Sequence, residues 1–384
     1  MLVRMNSWIL AFLLAVAPLS SAQSVPNVSG TWDLTTHSSL AAIIKIVQTG
    51  SDIKGLFEFS ATSCAEIAFF TGSVGSLFSP NLVMMTVDMN GERVEFSGDL
   101  SSDGGLISGG QYSGRPGECI GRGPYTMAAV KKSTEISPTI FGVINAASGS
   151  QGAIAPGEII SIFGSPSISP IGPDPGISLE LDQDGNVSRE LADVRVRFLG
   201  IDVYAPLVYV SAGQVNAVVP YEIAGLRDVQ IQIEYRGLTS DSFQLTVTAT
   251  APGIFTADGS GQGPGAILDH DGFTLNSSTN PEPRGGVVVL FVTGEGQTNP
   301  PGVSGRVTVA SSTVPLTPIP LANVSVTING QPCSVEFVGE APGVVSGLLQ
   351  INVEVPLAAS PGNVPVQVRI GGRSTQDVVT VSVD

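Results

Sequence analysis

The chain has 384 residues, which is enough for two or three domains. Gly (46) and Pro (27) are frequent, only 13% of residues are charged and 42% are hydrophobic, which indicates a turn-rich all-β protein and excludes a disordered chain. The formal net charge of −16 repels phosphate backbones, so we expect no nucleic-acid partner. The acidic surface is typical of a secreted protein that must stay in solution, with collection of cations as the alternative.

The first 22 residues have the parts of a secretory signal peptide. Arg4 is followed by an apolar run over 8–19, and the small residues at 20–22 suit cleavage after Ala22. The run is too short to cross a bilayer, and no later stretch reaches about 18 apolar residues, so we expect no transmembrane segment. The sequence therefore predicts an exported protein that is secreted, periplasmic or associated with the cell surface.

Residues 27–131 are predicted to form a small up-and-down β-barrel. Short alternating segments are separated by turn sequences such as TGSD, MNGE and SSDGG, and eight such segments suffice to close a barrel. The large side chains of Phe57, Phe59, Phe69 and Phe70 favour a filled interior. A ligand inside the barrel remains the alternative. The eight segments are VSGTWDLTT, IIKIVQTG, DIKGLFEFS, EIAFFTGSV, NLVMMTVDM, ERVEFSGDL, GLISGGQYSG and GPYTMAAV.

The start of this region, Val-Ser-Gly-Thr-Trp32, resembles the Gly-x-Trp signature in the first strand of lipocalin-like barrels. The resemblance implies that Trp32 plugs one end of the barrel. It also implies that an Arg near the last strand, here Arg122, stacks over the indole.

The three cysteines are interpreted in the light of export, because disulfides persist in oxidising compartments. Cys64 and Cys119 lie in the barrel region, and we predict that they form a disulfide worth roughly 4 kcal/mol in the chain-entropy model. Cys333 is predicted to be a free, structural thiol. No His is near it in the sequence to support a nucleophilic role.

The second region contains an internal repeat. PGEIISIFG (156–164) corresponds to RGGVVVLFVTG (284–294), and ADVRVRFLG (192–200) corresponds to ANVSVTING (322–330). Further matching segments come after each of these in the same order. Each copy supplies six or seven strands, which predicts two tandem antiparallel β-sandwiches of immunoglobulin-like type over 140–250 and 251–384.

Both copies contain the motif Gln-x-Asn-x-x-Val-Pro. In an extended strand the Gln and Asn side chains share one face, and the Pro suits the end of the strand because it lacks a ladder donor. Recurrence in both copies predicts a structural role, with the amides bonded to loop backbone, and a shared ligand surface is the alternative. The motif residues are Gln214, Asn216 and Pro220 in the first copy and Gln350, Asn352 and Pro356 in the second.

A family resemblance rests on several of these segments together. GVINAAS, APGEIISIFG, APLVYVSAGQVNAVVPYE, APGIFT, NPEPRGGVVVLFVTGEG and LLQINVEVP resemble the Solibacter uncharacterised C-terminal domain family over about residues 140–384. The resemblance implies an exported bacterial protein that ends in this module. The family supplies no catalytic residues to transfer. The long loop at 165–190 departs from its pattern.

Sequence motifs for catalysis or metal binding are weak. His270 lies between Asp269 and Asp271, but Asp-His-Asp-Gly between apolar segments is first a turn sequence. Asp182 and Asp184 have the spacing of calcium-loop oxygens without the closing Glu, so we interpret them as a turn and leave calcium binding open. We therefore expect no catalytic residue, no metal site and no cofactor.

These observations predict an exported bacterial protein without catalytic activity, with a binding or structural, adhesion-type role. Its partner is expected to be an extracellular protein or a glycan. The alternative is a small-molecule carrier with its ligand in the barrel. A secreted hydrolase is the third hypothesis, which the lack of a nucleophile or metal motif disfavours.

Overall fold

The structure is a computed structural model that describes residues 25–36, 41–59, 67–75, 82–89, 92–113, 125–308 and 317–384. The predicted signal peptide at 1–22 lies outside the described residues. The chain divides into two compact units, Met1–Thr134 and Glu135–Asp384. The predicted fold class is confirmed: the first unit contains a closed β-barrel, and the second contains both sandwiches of an all-β chain.

The barrel has an up-and-down topology. Each strand pairs with the next, and the last strand pairs with the first, so the sheet closes. All pairs are antiparallel. The strands are β1 (Gly30–Thr36), β2 (Ala41–Thr49), β3 (Asp52–Phe59), β4 (Ile67–Val74), β5 (Leu82–Met89), β6 (Glu92–Leu100), β7 (Leu106–Ser113) and β8 (Tyr125–Ser133).

Aromatic side chains fill the barrel interior. The Phe57 ring centroid lies 5.7 Å from that of Phe59, 5.2 Å from that of Phe70 and 5.0 Å from that of Phe96. The prediction that Phe69 is part of this core was wrong, since its side chain is 49% exposed. Alternation explains the difference, because side chains on both sides of Phe69 in β4 point inward.

The first sandwich buries the inner faces of two sheets against each other. The strands are β9 (Gly142–Asn145), β10 (Ile159–Phe163), β11 (Ile177–Ser178), β12 (Val194–Leu199), β13 (Val203–Tyr204), β14 (Leu207–Val210), β15 (Gln214–Val218), β16 (Asp228–Tyr235), β17 (Leu238–Thr239) and β18 (Phe243–Thr246). One sheet has the order β11-β14-β15-β10-β9, and the other has the order β13-β12-β16-β17 with β18 paired to β16. A short 3₁₀ helix, η1 (Tyr221–Ile223), comes after β15.

The second sandwich is built in the same way around its own apolar core. The strands are β19 (Gly253–Ile254), β20 (Gly263–Pro264), β21 (Val287–Thr293), β22 (Thr298–Asn299), β23 (Ile319–Pro320), β24 (Val324–Ile328), β25 (Gln331–Pro332), β26 (Val335–Glu340), β27 (Leu349–Glu354), β28 (Gly362–Ile370), β29 (Arg373–Ser374) and β30 (Val379–Val383). Its sheets have the orders β19-β21-β27-β26 and β20-β30-β28-β24-β25, with β29 paired to β28 and a separate β22–β23 pair.

The sequence repeat is a repeat of strand pairing. The Gln-x-Asn strand β15 pairs with β10 in the first sandwich, as β27 pairs with β21 in the second. On its other side each of these strands meets a register shift, in β14 and in β26. The immunoglobulin-like type of the two sandwiches and their resemblance to a known module stay predictions.

No helix in the described part of the chain has the length and apolar character needed to cross a bilayer.

Candidate functional site

Tyr221 joins the two sandwiches of the second unit. It begins η1, directly after Pro220 of the repeated motif, and its buried phenol reaches into the second sandwich. The phenol oxygen lies 2.6 Å from Glu295 Oε1 and 3.3 Å from Glu340 Oε1. Glycine makes room for the ring, because a Cβ at Gly302 would lie 2.4 Å from ring atom Cζ. We call the side chains of Tyr221, Glu295 and Glu340 the Tyr221 junction.

The two carboxyl groups of the Tyr221 junction are fully buried but have different surroundings. Glu340 Oε2 accepts a hydrogen bond from Thr308 Oγ1 at 2.7 Å and lies 3.5 Å from Arg306 Nη2. Glu295 Oε2 has no hydrogen-bond partner among the described residues. Burial, helped by the nearby Glu340 carboxylate, raises the pKa of Glu295 to about 8. Burial and the two carboxyls raise the pKa of Tyr221 well above its usual value.

Further hydrogen bonds cross between the sandwiches around this junction. The Ile159 amide donates to Thr293 Oγ1 at 2.7 Å, and the Tyr221 amide donates to Ser304 Oγ at 3.0 Å. Ser304 Oγ in turn donates to a carboxylate oxygen of Glu222 at 2.8 Å. The contact between the sandwiches is therefore specified by buried polar groups as well as by apolar packing.

An apolar cleft of about 520 Å³ opens between the same two sandwiches. Each sandwich supplies half of its wall, and at the rim Leu179 and Leu181 are 41% and 54% exposed. A concave, largely apolar wall with few polar groups is typical of a binding site. We call this feature the apolar cleft. It is lined by Ala146, Ile159, Leu179, Leu181, Val187, Val208 and Asn216 from the first sandwich and by Phe255, Phe291, Val307, Gly343, Val344, Val345 and Leu348 from the second.

Among the described residues, Asn216 is the one polar side chain in the wall of the apolar cleft. Its Oδ1 accepts a hydrogen bond of 2.7 Å from Gln214 Nε2, which lies on the same face of β15. That bond fixes the orientation of the amide, so Nδ2 is the group left to donate. Nδ2 has no hydrogen-bond partner among the described residues. Among the described wall residues, Asn216 is thus the side chain with a hydrogen-bond donor to spare.

The second copy of the motif has the same bond in a different place. Gln350 Nε2 donates to Asn352 Oδ1 at 2.9 Å, but Asn352 lies outside the wall of the apolar cleft. In both copies the Asn lies opposite an aromatic residue beside the register shift, Tyr209 for Asn216 and Phe337 for Asn352. The hydrogen bond joins the side-chain amides of Gln and Asn, whereas the sequence analysis predicted hydrogen bonds from these side chains to loop backbone. Pro220 and Pro356 come after the ends of β15 and β27, as predicted for strand-terminating residues.

Glu158 is a further buried carboxyl in the first sandwich. Its oxygens accept hydrogen bonds from Asn145 Nδ2 at 2.9 Å and from the Ala155 amide at 2.7 Å. Burial outweighs these bonds and raises the pKa of Glu158 to about 8. Both oxygens are occupied, so the group holds the loop before β10 in place.

Trp32 lies in the barrel core, and its predicted role as the plug of one barrel end stays a prediction. The indole is fully buried and donates to the Val28 carbonyl at 2.9 Å. Among the described residues a cation over its ring is Lys131, whose Nζ lies 5.4 Å from the ring centroid and which pairs with Trp32 across β1 and β8. Arg122 lies outside the described residues, and so do Cys64 and Cys119, whose disulfide stays a prediction.

The remaining sequence candidates are turns or structural groups. Asp182 Oδ1 accepts the amides of Asp184 and Asn186, which closes a turn. His270 Nδ1 lies 3.1 Å from buried Glu282 Oε1, a partner that its neighbours in the sequence did not indicate. Cys333 is a free thiol. In the described part of the chain no group of three or more His, Cys, Asp or Glu side chains is placed to hold a metal ion.

Neither the Tyr221 junction nor the apolar cleft was predicted from the sequence. The one signal for the junction was the tyrosine directly after Pro220, where the second copy has Leu357 after Pro356. Comparison of the chain with protein-family models and with curated proteins gives no match.

Proposed function

We propose that this protein is an exported bacterial binding protein without catalytic activity, and that its apolar cleft holds apolar side chains of an extracellular partner protein. The cleft carries the proposal. A volume of about 520 Å³ is within the usual range of binding pockets, and it would take two or three side chains of a partner. Burial of apolar surface on both sides would drive association.

The composition of the wall favours a protein partner over a glycan. Sugar hydroxyls leave water only for a set of matching hydrogen bonds, because an unpaired buried hydroxyl costs free energy. The part of the wall that the structure describes has one polar side chain, Asn216, which suits a single acceptor such as a peptide carbonyl. Leu179 and Leu181 at the rim extend the apolar surface toward an incoming partner.

Export and membership of the Solibacter uncharacterised C-terminal domain family are parts of the same proposal. The signal-peptide pattern at 1–22 and the ordered motifs over 140–384 support them. The packed Phe57, Phe70 and Phe96 rings inside the barrel speak against the carrier alternative, because they occupy the space that a ligand would need.

The proposal is tested by placing a charge at the rim of the cleft. The neutral dye Nile red serves as the probe, with acetyl-Leu-Val-Leu-amide as a competitor and acetyl-Ser-Gly-Ser-amide as its polar control. We expect one saturable dye site that the apolar peptide displaces and the polar peptide does not. Leu181→Arg should weaken dye binding at least about tenfold, since it brings a charge to an apolar surface.

Leu357→Arg is the matched control, because Leu357 is 75% exposed and lies outside the cleft wall. This variant should bind the dye like the parent protein. Equal dye binding by both variants would show that the cleft is not the site. Loss of dye binding in Phe57→Ala, with Leu181→Arg unaffected, would support the carrier alternative instead.

A further inference from the structure

The Tyr221 junction has one phenolic proton for two carboxyl groups. Tyr221 Oη lies within hydrogen-bond distance of Glu295 Oε1 and Glu340 Oε1, at 2.6 and 3.3 Å, and one O–H can donate to only one of them. The second contact needs another proton. If Glu295 is a carboxylic acid, Oε1–H donates to the phenol oxygen and the phenol donates to Glu340. Both short contacts are then hydrogen bonds.

The second oxygen of Glu295 points to the same assignment. Oε2 is fully buried and has no partner among the described residues. A buried oxygen without a partner is much less costly in a neutral carboxyl group than in a carboxylate. Glu340 is in the opposite situation, because Thr308 and Arg306 both supply donors to its Oε2. The geometry places the negative charge on Glu340 and the proton on Glu295.

The other charged groups around the junction do not compensate a charge on Glu295. Glu222 is bound to Ser304 Oγ, and Arg189 Nη2 donates to the Ser304 carbonyl at 3.3 Å. Arg306 lies beside Glu340, and Glu158 is bound to Asn145 and Ala155. In the described residues, no cation therefore contacts Glu295.

We propose that the proton on Glu295 is a pH-sensitive lock between the two sandwiches, and that its loss at alkaline pH releases them from each other. Ionised Glu295 would share one phenol with the Glu340 carboxylate, so one of the two would lose its hydrogen bond in a buried site. Separation of the sandwiches would admit water to both. Because both sandwiches line the apolar cleft, release would also open the cleft, a consequence that rests on the proposed function.

The lock is tested by hydrogen exchange of the full chain between pH 5 and 10, expressed as protection factors corrected for intrinsic rates. The reporters are the amides of Ile159 and Tyr221, which donate across the junction, and core strand amides such as that of Val366 are the reference. Between about pH 5 and pH 8, protection of the reporters should fall by up to about tenfold per pH unit, because Glu295 keeps its proton while the sandwiches are joined and has lost it once they separate. Above about pH 8, where Glu295 is ionised in both states, protection should level off. The reference amides should keep their protection over the range in which the reporters lose theirs.

Glu295→Gln should abolish this loss of protection with rising pH, because the amide cannot ionise. Glu158→Gln is the matched control and should leave the response in place, since that carboxyl has a partner on each oxygen. Should Glu295→Gln not fold, Glu340→Gln gives a second test. It removes the charge beside Glu295 and should shift the response to lower pH.

A loss of reporter protection with rising pH that survives in Glu295→Gln, or that only Glu158→Gln removes, would overturn the lock. So would an unshifted response in Glu340→Gln. None of these measurements uses a ligand, so an empty apolar cleft and a failed lock give different results. If Nile red binding persists while the reporter amides lose protection, release of the lock does not open the cleft, and the lock itself still stands.

Discussion

The two copies of the repeat contain the same hydrogen bond between a Gln and an Asn side chain, and they differ at the residue after the motif proline. Gln214 donates to Asn216 as Gln350 donates to Asn352, and each Asn lies beside a register shift in the neighbouring strand. After the proline, however, the first copy has buried Tyr221, and the second has Leu357, which is 75% exposed. The Gln and Asn side chains are thus part of the fold of each sandwich, whereas the residue after the proline in the first copy, Tyr221, contacts the second sandwich.

A second difference between the copies lies just before β10 and β21, the strands that pair with the two Gln-x-Asn strands. The repeat aligns Glu158 of the first copy with Gly286 of the second. At Gly286 a Cβ would lie 2.1 Å from Oε1 of Glu282, so a carboxyl from four residues earlier occupies the space beside it. Both copies bury a carboxyl near this strand end, but they supply it from different positions of the chain.

The largest effect is expected when the side chain of the residue after the motif proline is replaced by alanine. Tyr221→Ala should lower the free energy of unfolding of the second unit by about 3–5 kcal/mol, because it leaves a cavity and two buried carboxyls without their shared partner. Leu357→Ala, the same position in the other copy, should cost no more than about 0.5 kcal/mol. Urea unfolding of both variants measures the difference. Similar losses in the two would mean that Tyr221 does not join the sandwiches.

The next effect is the contribution of Glu158, in the first copy, to the pH dependence of stability. The pKa of Glu158 is about 8 in the folded protein, above its ordinary value of 4.5, so the unfolded chain releases this proton first as pH rises. Its contribution to stability is therefore complete below about pH 4.5 and is lost between there and pH 8, by up to about 1.4 kcal/mol per pH unit. Glu158→Gln should flatten the fall of stability over that range. An unchanged slope in unfolding measured from pH 5 to 8 would contradict the buried, neutral acid.

The smallest expected effect is a difference between the Gln214–Asn216 pair and the Gln350–Asn352 pair. Asn216→Ala and Asn352→Ala should each cost about 1 kcal/mol, because each removes the acceptor of one half-buried glutamine amide. Only Asn216→Ala should also weaken displacement of Nile red by acetyl-Leu-Val-Leu-amide, by a few fold, since only Asn216 lies in the cleft wall. Equal peptide affinity in both variants would assign Asn216 to the fold alone.

The sequence predicted the parts of the fold that are set by local patterns. Turn-delimited alternating segments predicted the eight barrel strands, and the repeat predicted matched strands in the two sandwiches. Phe69 was wrongly assigned to the core because it was judged by its apolar side chain. The alternation of inward and outward side chains along β4 decides which residues are buried. Lys131 was missed as the cation over Trp32 because that contact depends on the register between the first and last barrel strands. The Tyr221 junction unites residues that are distant in the chain, so only tertiary packing reveals it.

Cys333 has a consequence for the maturation of the chain. Burial raises the pKa of its thiol to about 11, so at pH 8 only about one molecule in a thousand carries the thiolate. Thiolate is the species that attacks a disulfide, and an odd cysteine in an oxidising compartment is a source of wrong pairings. If the chain is exported and Cys64 pairs with Cys119, as predicted, Cys333 in the folded second sandwich is a poor competitor for these two cysteines. The order in which the two units fold would then decide how much of the chain is trapped with mismatched cysteines.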